Sequence, residues 1–141
     1  MGGPLRRKLA AQESAVNALP PIVVPPEAFG FRVPGSPMSW NNALIRGRGR
    51  PFLSARAREW KESIRFRALA ALPSTWSRSG RFMVGVHSVF ARSTSDTDGP
   101  VKLALDALQG IAFDNDRQVV RVSATKEVGG AVRLEVIVKR A

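Results

Sequence analysis

The chain of 141 residues contains no cysteine, which removes disulfides, thiolate metal sites and cysteine nucleophiles and excludes zinc-finger readings. Its one histidine, His87, has no partners with which to hold zinc, and in a strand-like stretch it is expected to pack or make a local hydrogen bond. Long apolar runs are missing too. None approaches the roughly 20 residues that span a bilayer, and the N-terminus lacks the continuous apolar stretch of a secretion signal, so an intracellular, cytoplasmic protein without a membrane anchor is expected. No internal repeat or low-complexity tract occurs. Acidic residues are scarce, with 11 Asp and Glu against 22 Lys and Arg, and the resulting charge of +11 favours a polyanionic partner such as nucleic acid or an acidic membrane surface. The length suits one domain.

Hydrophobic patterning predicts an α+β domain of order βαβαββ, a mixed sheet with two helices packed on it. Residues 1–27 read as an N-terminal tail and Pro-rich linker. Leu5, Leu9, Val16 and Leu19 suggest a marginal helix there, before Pro20, Pro21, Pro25 and Pro26 forbid one. Within residues 28–141, a short strand over 31–33 ends at Pro34, Gly35 and Pro37. A basic loop follows, Arg46, Gly47, Arg48, Gly49, Arg50, whose guanidiniums repel one another without an anion. Ser54 is a suitable cap for a helix over 55–71, with Ala57, Trp60, Ile64 and Ala68 on its apolar stripe and Arg56, Arg58, Lys61 and Arg65 largely outside it. Phe82, Val84, Val86 and Phe90 alternate as the buried side of a strand. A second helix fits 100–109, and strands over 118–126 and 131–139 flank Gly129 and Gly130, which suit a two-residue hairpin turn. Of the tryptophans, Trp40 and Trp76 are candidates for base stacking, and Trp60 belongs to the core stripe.

All five aspartates, Asp96, Asp98, Asp106, Asp114 and Asp116, fall within one window of 21 residues. From Arg92 to Arg121 four basic residues face these five, a net of −1, which leaves +12 for the rest of the chain. Gathered carboxylates repel unless cations or hydrogen bonds compensate, and a bound divalent cation is one such reason. Asp96 and Asp98 are two apart, so in an extended segment both would face one side. Lys102 follows Asp98 by one helical turn, within reach of a phosphate oxygen at the same site. Oxygen donors without His or Cys select magnesium, or manganese, over zinc. Other roles remain open: Asp98 as a helix cap, Asp114 and Asn115 as a turn, and Asp98, Lys102 and Asp106 as solvated i,i+4 pairs. An EF-hand starting at Asp114 is excluded, because its sixth and twelfth positions are Val119 and Thr125 rather than Gly and Glu.

The string Asp96-Thr-Asp98-Gly-Pro-Val-Lys102-Leu-Ala-Leu-Asp106-Ala-Leu, then Asp114-Asn-Asp116-Arg-Gln118-Val-Val, resembles the RusA family pattern D-x-D-N-x-x-K-x-x-x-D-A-L followed by D-D-x-Q-V. Pro37, Ser39, Asn41 and Asn42, then Arg48, Gly49, Arg50 and Ser54, resemble the same family's proline, Ser-Asn-Asn, basic loop and helix start, so the likeness runs from Phe31 to Lys139. It implies a Holliday-junction resolvase, an endodeoxyribonuclease in which Asp96, Asp98 and Asp116 hold magnesium and Lys102 is the essential lysine beside them. Asp106 matches a supporting position. Two departures stand out: Gly99 replaces the usual Asn, and Asn115 replaces the first Asp of a pair, which raises Asp114 as the alternative carboxylate.

The expected partners are branched DNA, a four-way junction, and a second copy of the chain, since two symmetric nicks in a nearly twofold junction suit a C2 homodimer. Asn41, Asn42, Arg46, Arg48, Arg50, Arg56, Arg58 and Lys61 are the expected DNA-binding residues, holding backbone phosphates. The rival reading is a non-catalytic basic DNA-binding module. The family is often carried by phages and prophages, and either they or a cell are the expected source.

Overall fold

The computed structural model describes residues 3–141. Met1 and Gly2, the first residues of the expected tail, lie outside the described residues. The chain runs α1 (Pro4–Asn17), β1 (Ala28–Pro34), α2 (Trp40–Ala43), β2 (Leu44–Ile45), β3 (Phe52–Leu53), α3 (Ala55–Ala71), β4 (Phe82–Phe90), α4 (Val101–Leu108), a 3₁₀ turn (Asp116–Gln118), β5 (Val119–Val128) and β6 (Arg133–Arg140). The α+β class, the mixed sheet and the two principal helices are as patterning predicts. The order βαβαββ gains a short helix, α2, and a small hairpin, β2–β3, between β1 and α3.

Alternation along the strands builds the core. Phe29, Phe31 and Val33 of β1, Phe82, Val84 and Val86 of β4, and Leu134, Val136 and Val138 of β6 turn one way and are buried. Ile64 and Ala68 of α3 and Ala104, Ala107 and Leu108 of α4 close over them, joined by Ile111, Ala112 and Phe113. An aromatic chain, Phe29 to Trp76 to Phe82 to Phe113, runs through this layer with centroid separations of 4.8, 5.6 and 5.9 Å. Trp76 is therefore a core residue, its Nε1 donating to the Ala112 carbonyl at 2.9 Å, and not a base-stacking platform.

The four-stranded sheet has the order β1-β6-β4-β5. β6 is antiparallel to both β1 and β4, whereas β4 and β5 are parallel, joined through α4. The expected β5–β6 hairpin is thus absent. Gly129 and Gly130 do take positive φ, 92° and 79°, but they carry the chain across the end of β4, where the Gly129 amide donates to the Phe90 carbonyl at 2.9 Å. The alternating, core-facing β4 sits between the two strands, because burying its apolar side beneath the helices outweighs the local preference of a Gly-Gly turn.

The expected marginal helix of the tail is formed as α1 and lies against the fold. Val16 is buried, and Glu13 meets Arg67 of α3 at 2.6 Å.

Candidate active site

Residues 91–99, which carry Asp96 and Asp98 and are expected as an extended segment, form bends and turns instead. The apolar alternation ends at Phe90, and Lys126 of β5 donates to the Ser93 and Ser95 carbonyls at 3.1 and 2.8 Å, pulling this segment off the strand axis. The Gly99 amide then returns to the Asp96 carbonyl at 3.4 Å and the Val101 amide to the Asp98 carbonyl at 3.1 Å, which starts α4. The period of two that would align the Asp96 and Asp98 carboxylates does not hold. Both residues lie on the turn, and neither takes part in an ion pair among the described residues. Asp98 does not cap α4 through its side chain, since Pro100 occupies the N-cap position and no side-chain bond is made there.

Lys102, in the first turn of α4, is the hub of the site. Its Nζ lies 3.1 Å from Asp106 Oδ1 and 3.5 Å from Asp116 Oδ2, and 5.7 Å from the centre of the Trp40 ring. The Asp106 hydrogen bond, opposed by partial burial and aided by the charges of Asp106 and Asp116, holds the Lys102 pKa above the ordinary lysine value. Asp114, just ahead of the 3₁₀ turn, points elsewhere: Arg78 Nε is 3.3 Å from its carboxylate. The carboxylate that meets Lys102 is Asp116, so the Asn115 departure does not transfer that contact to Asp114.

Asn115 has a structural duty of its own. Its side chain accepts from the Arg117 amide at 3.0 Å and caps the 3₁₀ turn, while Gln118 reaches back in a capping box. Sequence reasoning missed this duty of Gln118, although the spacing Asn115 to Gln118 is the signature of such a box. Its Oε1 accepts from the Asp114 and Asn115 amides, both at 2.9 Å, and its Nε2 donates to the Arg78 and Gly80 carbonyls at 2.8 and 3.0 Å. One amide therefore clamps the loop that carries Asp116. Gln118→Leu is expected to lower stability by about 2 kcal/mol, at about 0.5–1 kcal/mol per partly exposed bond, measured as a fall in the urea midpoint.

Gly99 has a physical explanation as well. A Cβ built there would stand 2.9 Å from Ser39 Oγ and 3.1 Å from Ser39 Cβ. The segment before α2 occupies the space that a side chain would need, and the Trp40 amide donates to the Gly99 carbonyl at 2.9 Å. Gly99→Asn is expected to destabilise by about 1–2 kcal/mol through overpacking, and Ser39→Gly in the same chain should recover most of it; additive effects in that double-mutant cycle would contradict the packing account.

The expected DNA-binding residues lie on one stretch of chain. Asn41 and Asn42 are exposed on α2, whose first residue carries the bond to Gly99. Arg46, Arg48 and Arg50 are exposed at the tip of the β2–β3 hairpin, whose far end is tied to α3 by the Ser54 amide on the Ala43 carbonyl at 2.8 Å. Ser54 caps α3 as expected, accepting from the Ala57 amide at 3.1 Å. Arg56 and Arg58 are exposed on its first turn, and Lys61 is half-buried. None of these cations has an ion-pair partner among the described residues. Arg65 departs from the expected outer face: its Nη1 donates to the Ala107 and Gln109 carbonyls at 2.9 and 3.0 Å, satisfying the end of α4 and fixing it to α3. His87 makes the expected local bond, with Nδ1 at 2.7 Å from Thr125 Oγ1.

The sequence pattern of the family described as endodeoxyribonuclease RusA matches residues 34–139, most of the chain. The chain belongs to the RusA family. It is accordingly an endonuclease that hydrolyses phosphodiester bonds in DNA, with the Holliday-junction resolvase activity that RusA membership implies, and the enzymatic reading prevails over the binding-module one. No curated protein matches the chain. RusA nucleases are generally dependent on a divalent metal. The donors present here, carboxylate oxygens with Asp96 and Asp98 free of ion pairs, fit a hard cation chemically. Among the described residues no three acidic or imidazole side chains are gathered into a metal cluster. The structure thus joins Lys102, Asp106 and Asp116, and sets the Asp96–Asp98 turn directly before Lys102 in the same helix start. Nor is any helix of the described residues long and apolar enough to cross a membrane.

Proposed function

We propose that the protein is a magnesium-dependent, structure-selective endodeoxyribonuclease that resolves four-way junctions by paired symmetric nicks, acting as a homodimer. What supports this reading is the contact of Lys102 with Asp116, which brings the two separated halves of the acidic motif to one spot. The catalytic group is Asp96, Asp98, Asp116 and Lys102. The three carboxylates would hold the magnesium, for which manganese can substitute, and the bound ion would supply an activated water and Lewis-acid stabilisation of the scissile phosphate. Lys102, held by Asp106 and Asp116, offers its ammonium to a non-bridging phosphate oxygen as charge builds there. The Trp40 ring faces that ammonium at 5.7 Å and favours its charge. Asn41, Asn42, Arg46, Arg48, Arg50, Arg56, Arg58 and Lys61 hold backbone phosphates on either side. Residues 28–141 are the nuclease domain and residues 1–27 an accessory N-terminal segment, within an intracellular protein of a cell, a phage or a prophage.

The test is cleavage of a synthetic four-way junction with and without magnesium, beside a linear duplex. Paired nicks in the junction alone are expected; tight junction binding with no cleavage in either magnesium or manganese would leave only the binding-module reading.

Lys102→Met is expected to reduce the cleavage rate by about 10²-fold, as removal of a single stabilising donor does elsewhere, and Lys102→Arg to recover part of it. The sign of the pH dependence follows from the raised pKa. The ion pair's contribution to folding is complete below the ordinary value of 10.5 and is lost only as pH rises through the higher folded value. The cleavage rate is therefore expected to show no loss attributable to Lys102 up to about pH 9, and a basic limb below that pH, present in the parent and absent in Lys102→Arg, would contradict this.

A further inference from the structure

The two edges of the main sheet are treated differently. β1 is flanked by Pro25, Pro26 and its own Pro34, and α1 lies beside it. β5, at the other edge, runs ten residues without a proline, and its only irregularity falls at its start, opposite Phe82 and Met83. It pairs with β4 alone, so among the described residues its outer row of backbone donors and acceptors meets no strand. Most of its residues are exposed on both faces, including Val120 at 53%, Val122 at 42% and Val128 at 46%. A long edge strand with no proline is a template for another strand, and its charges at Arg121, Lys126 and Glu127 decide which strand it accepts.

The pattern along β5 is complementary to itself. About a twofold axis through Ala124, antiparallel pairing sets Val120 opposite Val128, Arg121 opposite Glu127, Val122 opposite Lys126, Ser123 opposite Thr125, and Ala124 opposite its own copy. Symmetry doubles each contact, giving two Arg–Glu pairs and two Val–Val pairs, and neither Arg121 nor Glu127 has an ion-pair partner within the chain among the described residues. A slip of one residue in either direction sets Arg121 against Lys126 or against Val128, and turns the second copy over so that its helices lie on the other face of the sheet. Lys126 keeps its bonds to the Ser93 and Ser95 carbonyls, because only its aliphatic stem faces Val122 of the second copy.

We propose that β5 is the dimer interface, pairing antiparallel with β5 of a second copy about Ala124 to form one continuous eight-stranded sheet. The proposal deepens, and rests on, the homodimer reading above. The isologous axis places both copies of α4 and both acidic turns on the same side of that sheet, each turn tied by Lys126 to the strand at the interface. Two sites facing one way suit two strands of one junction.

The absence of cysteine makes the test direct. Ala124→Cys should form a covalent dimer under mild oxidation, whereas Ser14→Cys, on the exposed side of α1, should not. Arg121→Glu should raise the dimer dissociation constant at least about tenfold in sedimentation equilibrium, as should Glu127→Arg, and the two together should restore it toward the parent value. A dimer that is indifferent to both charge reversals and uncrosslinked at position 124, yet still nicks junctions in pairs, would overturn the β5 pairing and leave the resolvase reading standing. A monomeric chain at working concentration would overturn it as well, and failure of junction cleavage by a crosslinked Ala124→Cys dimer and its reduced form alike would count against the resolvase reading instead.

Discussion

Asp98→Asn is expected to lower magnesium-dependent junction cleavage by about 10²–10³-fold while leaving junction affinity within about twofold. The side chain has no structural duty that the change would disturb. Asp98 makes no ion pair among the described residues and contributes to the start of α4 only through its carbonyl. Asparagine keeps the shape and one oxygen but removes the charge that a hard cation needs. Stability should therefore stay within about 0.5 kcal/mol of the parent, as for surface changes away from packed features. Asp114→Asn is the matched control. Its carboxylate pairs with Arg78, away from Lys102, so cleavage should survive that change. If Asp114→Asn abolished activity and Asp98→Asn kept it, the assignment of the carboxylates would fall while the enzyme class would not.

Where local pattern and burial agree, the fold is legible. Helix α3 matches its expected span because Ser54 caps it and Ala57, Ile64 and Ala68 sit at helical spacing under the same layer. β4 is equally plain, because alternate residues are buried along most of its length. The hairpin is not legible, since Gly129 and Gly130 carry only local information, and the partner of β5 is decided by a strand that lies about 40 residues earlier in the chain. The segment bearing Asp96 and Asp98 reads as extended for a related reason. Nothing in its own residues signals that Lys126 will hold its carbonyls.

The candidate site is legible in part. That Lys102 stands beside Asp116 is what the family resemblance implies, and the two lie 3.5 Å apart. Gln118, Arg65 and Lys126, which fix the elements around it, act largely on backbone groups, and a backbone carbonyl or amide has no side-chain signature to match. Gly99 shows the converse case: a departure from the family pattern that reads as a loss in one dimension is, in three, a close approach of Ser39.

Replacing Arg46, Arg48 and Arg50 together by alanine is expected to weaken junction binding by about 10²-fold at moderate salt and to lower the slope of log affinity against log salt by up to about 0.9 for each phosphate no longer neutralised. All three are exposed at the tip of a hairpin of two-residue strands, and none has an acidic partner among the described residues. Their like charges on so short a turn disfavour it unless an anion is present, so removal should leave stability unchanged or slightly higher. A structural role predicts the reverse, a fall in stability with the salt slope intact. Solubilising charge predicts neither change in binding. The hairpin springs from α2, which bonds to Gly99 in the acidic turn, and leads into the capped start of α3. A phosphate held at its tip is thus tied through a few bonds to the turn that carries Asp96 and Asp98, and the triple variant should lose cleavage at limiting DNA in proportion to binding. At saturating DNA the rate should return to within a fewfold of the parent, which separates arginines that hold the substrate from the aspartates and lysine that act on it.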